Sequence, residues 1–436
     1  MTIRKTGMTA EAIRDELDAL RAQDGDAKGA RLFSLVYPTR EDVLEVAKDA
    51  YVRFFSENAL NPMTFPSLAR LEGEILDSAL ALLHAPEGAC GSMTSGGSES
   101  LLLAVKTARD WARAERPDVR EPEMLLPASA HPALLKAAQL VGVKPVLVPI
   151  SSDFVADASA ARRLASDRTI LVVGSAPQYP HGVLDPIAEL ADVAASRGAL
   201  CHVDACIGGF FLPWVEKLGR PVAPFDFRVP GVTSMSADLH KYGYAAKGAS
   251  VVLYRTHALR RHQFFVHADW PGGLFGSPGI LGTRPGGAIA AAWAVMRYLG
   301  EEGYLSLARR AMDATDRIVR GVREIPGLRV LGTPVMSVLA IGGDVDPYVV
   351  GDRMQERGWR IDRQQSPPSL HFTVSPAHDA IVDRLLADLR EAAATPGERQ
   401  GAAAMYGMLG ELPDRGAVRD ALLDFMDGMI PSGAAS

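Results

Sequence analysis

The run Thr169-Ile-Leu-Val-Val-Gly has no polar side after its first residue. A strand apolar on both faces must be covered on both faces, which is the position of a strand in a parallel sheet flanked by helices. Similar short runs recur at 124–127, 145–150, 199–203 and 250–254, with helical stretches between several of them, notably 131–141 and 186–197. Strands alternating with helices predict βαβ units and an α/β domain with a mostly parallel sheet. Upstream, 41–58 and 67–84 carry helical periodicity, and a Gly/Ser loop at 91–98 leads into a helix reaching about 114. A Gly/Pro-rich loop at 271–287 ends the alternation and a long helix follows from 288 to about 322, with a break expected near Gly300–Gly303. Beyond Gly327 the order strand, strand, helix, strand, helix predicts a smaller α+β C-terminal domain, then a linker at 392–404, a helix near 418–430 and a frayed tail at 431–436. The expected division is an N-terminal arm and helical segment at 1–60, a large domain at 61–300 and a small domain at 301–436.

Composition removes several functions. Net charge is −6 over 436 residues, against the concentrated positive charge of an electrostatic nucleic-acid binder. No apolar run approaches the ~20 residues of a membrane span. The first residues are charged throughout and lack the apolar core of a signal peptide. Cys90, Cys201 and Cys206 are sparse and odd in number, which suits reduced thiols in a cytoplasmic protein.

Four local features carry chemistry. Lysine is rare, nine residues against thirty-seven arginines, yet Lys241 and Lys247 stand together in Ser236-Ala-Asp-Leu-His-Lys-Tyr-Gly-Tyr-Ala-Ala-Lys-Gly. A nucleophilic lysine must shed its proton near neutral pH, which burial or neighbouring cations promote, and the segment lacks the acidic neighbours of a salt-bridged helix face. Read alone, it is equally a polar loop. Gly91-Ser-Met-Thr-Ser-Gly-Gly-Ser-Glu-Ser opens directly into a helix, so its backbone N–H groups and the helix dipole suit a phosphate; the plainer alternative is a helix cap at Ser95 or Ser98. Asp204 ends the predicted strand Ala199-Leu-Cys-His-Val-Asp. A buried acid there needs a partner, and ligands of open α/β sheets bind outside the carboxyl ends of strands. His131 sits between a strand and a helix, where it also reads as a simple helix neighbour.

Together, Gly97, His131, Asp204 and Lys241, in that order, are the parts list for pyridoxal 5′-phosphate: a phosphate loop, a ring-stacking histidine, an acid for the pyridine nitrogen and a lysine for the aldehyde. The order resembles fold-type I (aspartate aminotransferase-like) enzymes. More specifically, the chain resembles the sphingosine-1-phosphate lyase family, relatives of the group II pyridoxal-dependent decarboxylases. That resemblance rests on Thr94-Ser-Gly-Gly-Ser-Glu-Ser, Pro177-Gln-Tyr-Pro-His-Gly-Val-Leu-Asp-Pro, His202-Val-Asp-Ala-Cys-Ile-Gly-Gly-Phe, Phe225-Asp-Phe-Arg-Val-Pro-Gly-Val-Thr-Ser, the Ser236–Gly248 segment, Gly282-Thr-Arg-Pro-Gly-Gly, Pro367-Pro-Ser-Leu-His-Phe and Met405-Tyr-Gly-Met.

The resemblance implies roles. Lys241 matches the cofactor-bearing lysine, His240 a residue near the cofactor phosphate, Asp204 the pyridine partner and His131 the stacking residue. Gly96, Gly97 and Ser98 match the phosphate loop, where the family more often has Thr in place of Ser98, and Ser236 is a further phosphate ligand. Thr283 matches a residue that approaches the partner subunit's cofactor phosphate, implying a homodimer with shared sites. Tyr37, Lys247 and Tyr406 match residues linked to substrate, with Lys247 suited to a substrate phosphate or to proton transfer. Where Asn61 stands, the family commonly carries histidine; asparagine can donate to a phosphate oxygen but cannot titrate near neutral pH. The implied reaction is cleavage of a phosphorylated long-chain amino alcohol to an aldehyde and phosphoethanolamine. An amino-acid decarboxylase on the same scaffold is the alternative, with Arg360 or Arg363 holding the substrate carboxylate; a non-catalytic cofactor-binding protein would not be expected to keep Lys241, Asp204 and His131 together. No basic amphipathic helix announces a membrane surface, although an amphiphilic substrate allows transient contact with one.

Overall fold

Thr169–Ser175 is buried along its whole length at the middle of a seven-stranded sheet. The computed structural model describes residues 5–22, 24–25, 29–395, 397–412 and 414–429; the tail at 431–436, expected to fray, lies outside them. In chain order the strands are β1 (Cys90–Thr94), β2 (Glu123–Pro127), β3 (Lys144–Val148), β4 (Thr169–Ser175), β5 (Leu200–Asp204), β6 (Ser234–Ala237) and β7 (Ser250–Tyr254). Their spatial order is β1-β7-β6-β5-β4-β2-β3. Neighbours from β3 to β6 are parallel, and β7 runs against both β6 and β1. Six strands therefore point the same way. The register aligns their carboxyl ends, pairing Ser175 with Asp204 and Asp204 with Ser236.

Two strands were hidden in segments that read as loops. The expected Gly/Ser loop at 91–98 begins as β1, fully buried. Its small residues are demanded by packing: a Cβ on Gly91 would lie 2.5 Å from Leu253 Cδ2 and 2.9 Å from the Val252 carbonyl. Likewise β6 consists of Ser234-Met-Ser-Ala, a composition without β-branched residues that pairing with β5 and β7 nevertheless holds extended. A two-stranded hairpin, β8 (Phe265–Trp270) with β9 (Gly273–Ser277), occupies part of the expected loop at 271–287 and is exposed on nearly every side.

The helix Gly286–Arg323 breaks at Gly300, whose φ of 54° lies in the left-handed region, within the expected interval. Its second half packs on a four-stranded antiparallel sheet, β10 (Leu328–Val330), β11 (Val338–Gly343), β12 (Asp362–Gln365) and β13 (Pro368–Thr373), in the order β10-β11-β13-β12. That sheet has one strand more than the sequence suggested. The helix Gly401–Glu411 occupies the end of the expected linker, and Arg415–Gly428 is the last helix. Within the arm, Ala10–Arg21 forms a helix that buries none of its residues. Phe33, by contrast, is fully buried in the core of the small sheet. It stacks on His378 at 4.3 Å and meets Phe372 edge-on at 4.8 Å, while its carbonyl accepts from Thr373 N–H at 2.7 Å.

Phe33→Ala is expected to cost about 3–5 kcal/mol and to lower the midpoint of chemical denaturation. The same truncation at Phe55, which is 76% exposed, should leave the midpoint nearly unchanged.

Candidate active site

The aligned strand ends open into a cavity of about 370 Å³. Gly96, Gly97, Ser98, His131, Asp204, His240 and Lys241, which the sequence brought forward from four separate segments, all line it. Each arrives by a short route. β1 runs into the Gly96-Gly97 turn, and the helix Gly97–Glu115 starts there with Gly96 at its N-cap. No side chain caps this helix, so neither Ser95 nor Ser98 takes the capping role; the Ser95 N–H and hydroxyl instead donate to Glu99 Oε2 at 2.7 and 2.6 Å. The Glu99 and Ser100 N–H groups donate to the Gly96 carbonyl, which leaves the Gly97 and Ser98 N–H groups at the cavity wall without a protein acceptor among the described residues.

Asp204, 7% exposed, ends β5. Its Oδ1 accepts from the Cys206 N–H at 3.1 Å and the Ser236 hydroxyl at 3.4 Å, while Oδ2 has no hydrogen bond among the described residues. Ser236 is fully buried on β6 behind this carboxylate and also accepts from the Cys206 thiol at 3.3 Å. Cys206, one of the three thiols expected to be reduced, is buried but lines the cavity as well, and burial pushes its thiol well above the ordinary range. His131 serves both readings: it lines the cavity, and its Nδ1 accepts from the Ala133 N–H at 3.1 Å at the start of the following helix.

Around Lys241 the structure corrects the sequence. The segment was read as free of acidic neighbours, yet Asp238, 2% exposed, places Oδ2 3.0 Å from Lys241 Nζ. Burial alone would lower the lysine's pKa. The Asp238 charge, with smaller contributions from Cys206 and Tyr37, outweighs it, and the net direction is upward. His240 Nδ1 accepts from the Ala249 N–H at 3.3 Å and its Nε2 lies 3.6 Å from the same carboxylate. Burial chiefly, then the charges of Lys247 and Lys241, hold this imidazole below its usual range against the pull of Asp238.

Tyr37 and Lys247 meet beside this group. Lys247 Nζ stands 5.1 Å from the centre of the Tyr37 ring and donates to the His240 carbonyl at 3.2 Å. Although Lys247 is exposed, desolvation of its ammonium and then the charge of Lys241 lower its pKa. Burial pushes Tyr37 up to about 12.

Six expected residues do not line this chain's cavity: Ser236 lies behind it, Tyr37 and Lys247 lie beside it, and Thr283, Asn61 and Tyr406 belong to other surroundings. Thr283 is exposed and 3.4 Å from the Asn58 side chain. Asn61 is exposed and closes its own turn, its Oδ1 accepting from the Met63 N–H at 2.9 Å. Tyr406 packs against Tyr348 at 6.0 Å in the small domain. Arg360 and Arg363 do not line the cavity either; Arg363 is spent on Asp352, and Arg360 pairs through its backbone with Leu32.

Residues that sequence reasoning passed over complete the walls, chiefly Asp238, Tyr179, Ser175 and Pro177. Tyr179 stacks on His371 at 4.0 Å, donates to Asp362 Oδ2 at 3.1 Å and meets His131 edge-on at 6.5 Å, so it ties the small sheet to the cavity. It sits in the quoted Pro-Gln-Tyr-Pro-His-Gly motif, and Asp238 lies three residues before Lys241; both signals were present in the sequence.

Residues 29–337 match the family model of the pyridoxal-dependent decarboxylase conserved domain. The chain is 44% identical over 435 residues to a sphingosine-1-phosphate lyase of Oryza sativa subsp. japonica, covering 97% of this chain and 80% of that protein. A sphingosine-1-phosphate lyase of Arabidopsis thaliana is 47% identical, covering 86% and 71%. Among solved structures, the sphingosine-1-phosphate lyase of Burkholderia pseudomallei superimposes with a TM-score of 0.90 at 38% identity, covering 99% and 98%. A Lactobacillus brevis glutamate decarboxylase, at 19% identity and a TM-score of 0.79, shares the fold. These establish a fold-type I α/β enzyme that uses pyridoxal 5′-phosphate.

The cavity suits that cofactor on its own geometry. A Cβ on Gly97 would lie 2.9 Å from both Cys206 Sγ and Asp238 Oδ2, so the loop is as close to the sheet as backbone allows, and the open Asp204 oxygen faces a cavity bounded by an uncapped helix start. Gly97→Ala should therefore push the loop outward and weaken cofactor binding by about tenfold or more, since a few lost charge-assisted hydrogen bonds exceed 1.4 kcal/mol. Titration of apoenzyme with pyridoxal 5′-phosphate, followed by absorbance, reads this directly; an unchanged affinity would contradict it.

Proposed function

Because the chain belongs to the sphingosine-1-phosphate lyase family, we infer that it cleaves sphingosine 1-phosphate and similar phosphorylated long-chain amino alcohols to a long-chain aldehyde and phosphoethanolamine. The observation that carries this beyond the family is the cavity itself: Asp204, His131, the Gly96-Gly97 loop and Lys241 converge there, and among the described residues no arginine lines it to receive the carboxylate a decarboxylase substrate would bring.

Pyridoxal 5′-phosphate supplies an aldehyde for the substrate amine and a ring that withdraws electrons from the carbon bearing it. Lys241 is the residue we assign to that aldehyde. Asp204 is assigned to the ring nitrogen, where its buried carboxylate favours the protonated form. The helix start at Gly97 and Ser98 would hold the phosphate with His240, and His131 would cover the ring face; Ser236, expected as a phosphate ligand, is buried off the cavity and steadies Asp204 instead. Breaking the bond between the amine-bearing and hydroxyl-bearing carbons requires that the hydroxyl lose its proton. Lys247 is suited to take it, because desolvation and Lys241 raise the fraction of neutral amine. Tyr37, held beneath that amine, would orient it. Fixing the substrate phosphate sets the torsion of the scissile bond, which must stand across the ring plane to be broken.

We further propose that the enzyme works as a homodimer in the cytoplasm. Thr283, Asn61 and Tyr406 would then act on the partner subunit's site or at its entrance, which accounts for their distance from their own cavity. Exposed apolar side chains support a covering second copy: Met63 and Leu274 are each 88% exposed, and Val266 and Ile280 are exposed as well. All three cysteines are free and buried, as in a reducing compartment. Among the described residues no helix is long and apolar enough to cross a membrane.

Purified protein incubated with sphingosine 1-phosphate should release long-chain aldehyde and phosphoethanolamine in equal amounts; carbon dioxide without aldehyde would point to the decarboxylase instead. Lys247→Ala should keep the cofactor's visible absorbance and lose at least about a hundredfold in turnover, and retained turnover would remove Lys247 from the mechanism. In the parent enzyme kcat/KM should rise with pH through the lowered lysine pKa as the neutral amine accumulates. Leu274→Asp should halve the mass measured by light scattering, whereas a parent protein that is already monomeric would end the dimer proposal.

A further inference from the structure

Asp238 has no assigned part in the reading above, and its surroundings are unusual for a structural acid. It is 2% exposed, and of its two oxygens only Oδ2 meets cations, Lys241 Nζ at 3.0 Å and His240 Nε2 at 3.6 Å. Oδ1 is buried and makes no hydrogen bond of ordinary geometry among the described residues; the Ser250 hydroxyl, which donates to the Ala237 carbonyl at 3.1 Å, lies near enough to help hold the carboxyl in its charged form. The turn does not need the side chain. Its backbone closes it, through the Asp238 N–H to the Cys206 carbonyl at 3.2 Å and the Lys241 N–H to the Asp238 carbonyl at 3.3 Å. A half-satisfied buried carboxylate is destabilising unless a charge repays it, and the charge at hand is Lys241.

We propose that Asp238 is a positioning residue for Lys241: it receives the lysine as a cation whenever the amine is not joined to the cofactor, and so sets the pH at which the amine can rejoin it. This rests on the assignment of the cofactor aldehyde to Lys241. When substrate replaces the lysine, a carbon–nitrogen bond forms to the substrate nitrogen, the bond to Lys241 Nζ breaks, and two protons pass from the substrate ammonium to Lys241. Charge and protons balance with no other reactant. The product of that exchange is an ammonium in a desolvated cleft, and Asp238 is placed to hold it 3.0 Å away, off the reacting carbon.

The other groups around Lys241 are poor substitutes. Burial holds Tyr37, Tyr179 and the Cys206 thiol in their neutral forms. Asp204, on β5, already commits Oδ1 to the Cys206 N–H and the Ser236 hydroxyl. His240 and Lys247, both shifted toward neutrality, and His131 are the other bases around the cleft, and the Glu99 carboxylate is taken by the Ser95 N–H and hydroxyl and the Ile280 N–H. Asp238 is therefore the carboxylate in ion-pair contact with the amine.

The test compares apoenzymes of the parent and Asp238→Asn, an isosteric change that removes the charge and turns one acceptor oxygen into an amide donor. The rate at which added pyridoxal 5′-phosphate develops its lysine-linked absorbance is followed against pH. In the parent the rate should keep climbing into the alkaline range. In Asp238→Asn the profile should move to lower pH by at least about one unit, making capture near neutral pH about tenfold faster or more. Coincident profiles, or a gain that is equal at every pH, would overturn the proposal. A Lys241→Ala control separates the two failures: if it too forms the lysine-linked band, the assignment of Lys241 is wrong; if the band needs Lys241 but ignores Asp238, only the present inference falls. Should Asp238→Asn fail to fold, pH-dependent amine acylation of parent apoenzyme, read by mass spectrometry, decides. Lys241 should label with a higher apparent pKa than Lys247, and the reverse order would overturn the proposal.

Discussion

The hydrogen-bond register of the parallel sheet is the constraint on which the site depends. Pairing fixes Ser175, Asp204 and Ser236 side by side at the carboxyl ends of three adjacent strands. A slip of one residue in any strand would turn its site residue to the opposite face. The apolar composition of β4 and the helices packed on both faces hold that register, so the core of the sheet and the precision of the site are one property. The antiparallel β7 adds the second constraint. By pairing with both β1 and β6 it brings the loop after Thr94 and the turn after Ala237 to the same edge of the cavity.

Within that frame, electrostatics divides the work. Asp204 and Asp238 are two buried carboxylates separated by role. Asp204 is steadied by a backbone N–H and a hydroxyl and keeps one oxygen open to the cavity, while Asp238 is steadied by cations. The cations differ in turn. Lys241, beside a carboxylate, is pushed up; Lys247, six residues on and beside Lys241, is pushed down. Two lysines of one loop thus hold protons with opposite tenacity, which is what a site needs if one is to carry a cation and the other to accept a proton.

Most of the large-domain alternation was legible because an apolar strand announces itself locally. The strands at 124–127, 170–174 and 250–254 lie where the runs of Met, Leu, Ile and Val placed them. β1 and β6 were not legible, because Gly, Ser and Ala carry no strand signal and are extended here only by their neighbours. The hairpin β8–β9 was missed for the opposite reason: its apolar residues face outward, and alternation without burial reads as loop. Among site residues, Gly97, His131, Asp204 and Lys241 were found by residue type and order. Asp238 stands in plain view three residues before Lys241, but a sequence does not say that a strand ends just before it and that the following turn brings the acid back toward the amine.

The sequence by itself determined the chemistry: which side chains are present to bind phosphate, hold a ring nitrogen, bear an amine and move a proton, together with the strand–helix rhythm of the large domain. These are local properties of residue type and spacing. The tertiary structure decided which of those groups share a cavity, that Thr283, Asn61 and Tyr406 lie outside it, and that Lys241 is pushed to hold its proton more tightly and Lys247 less tightly. Coulomb energy and desolvation depend on distance and burial through space, and only the packed sheet fixes either.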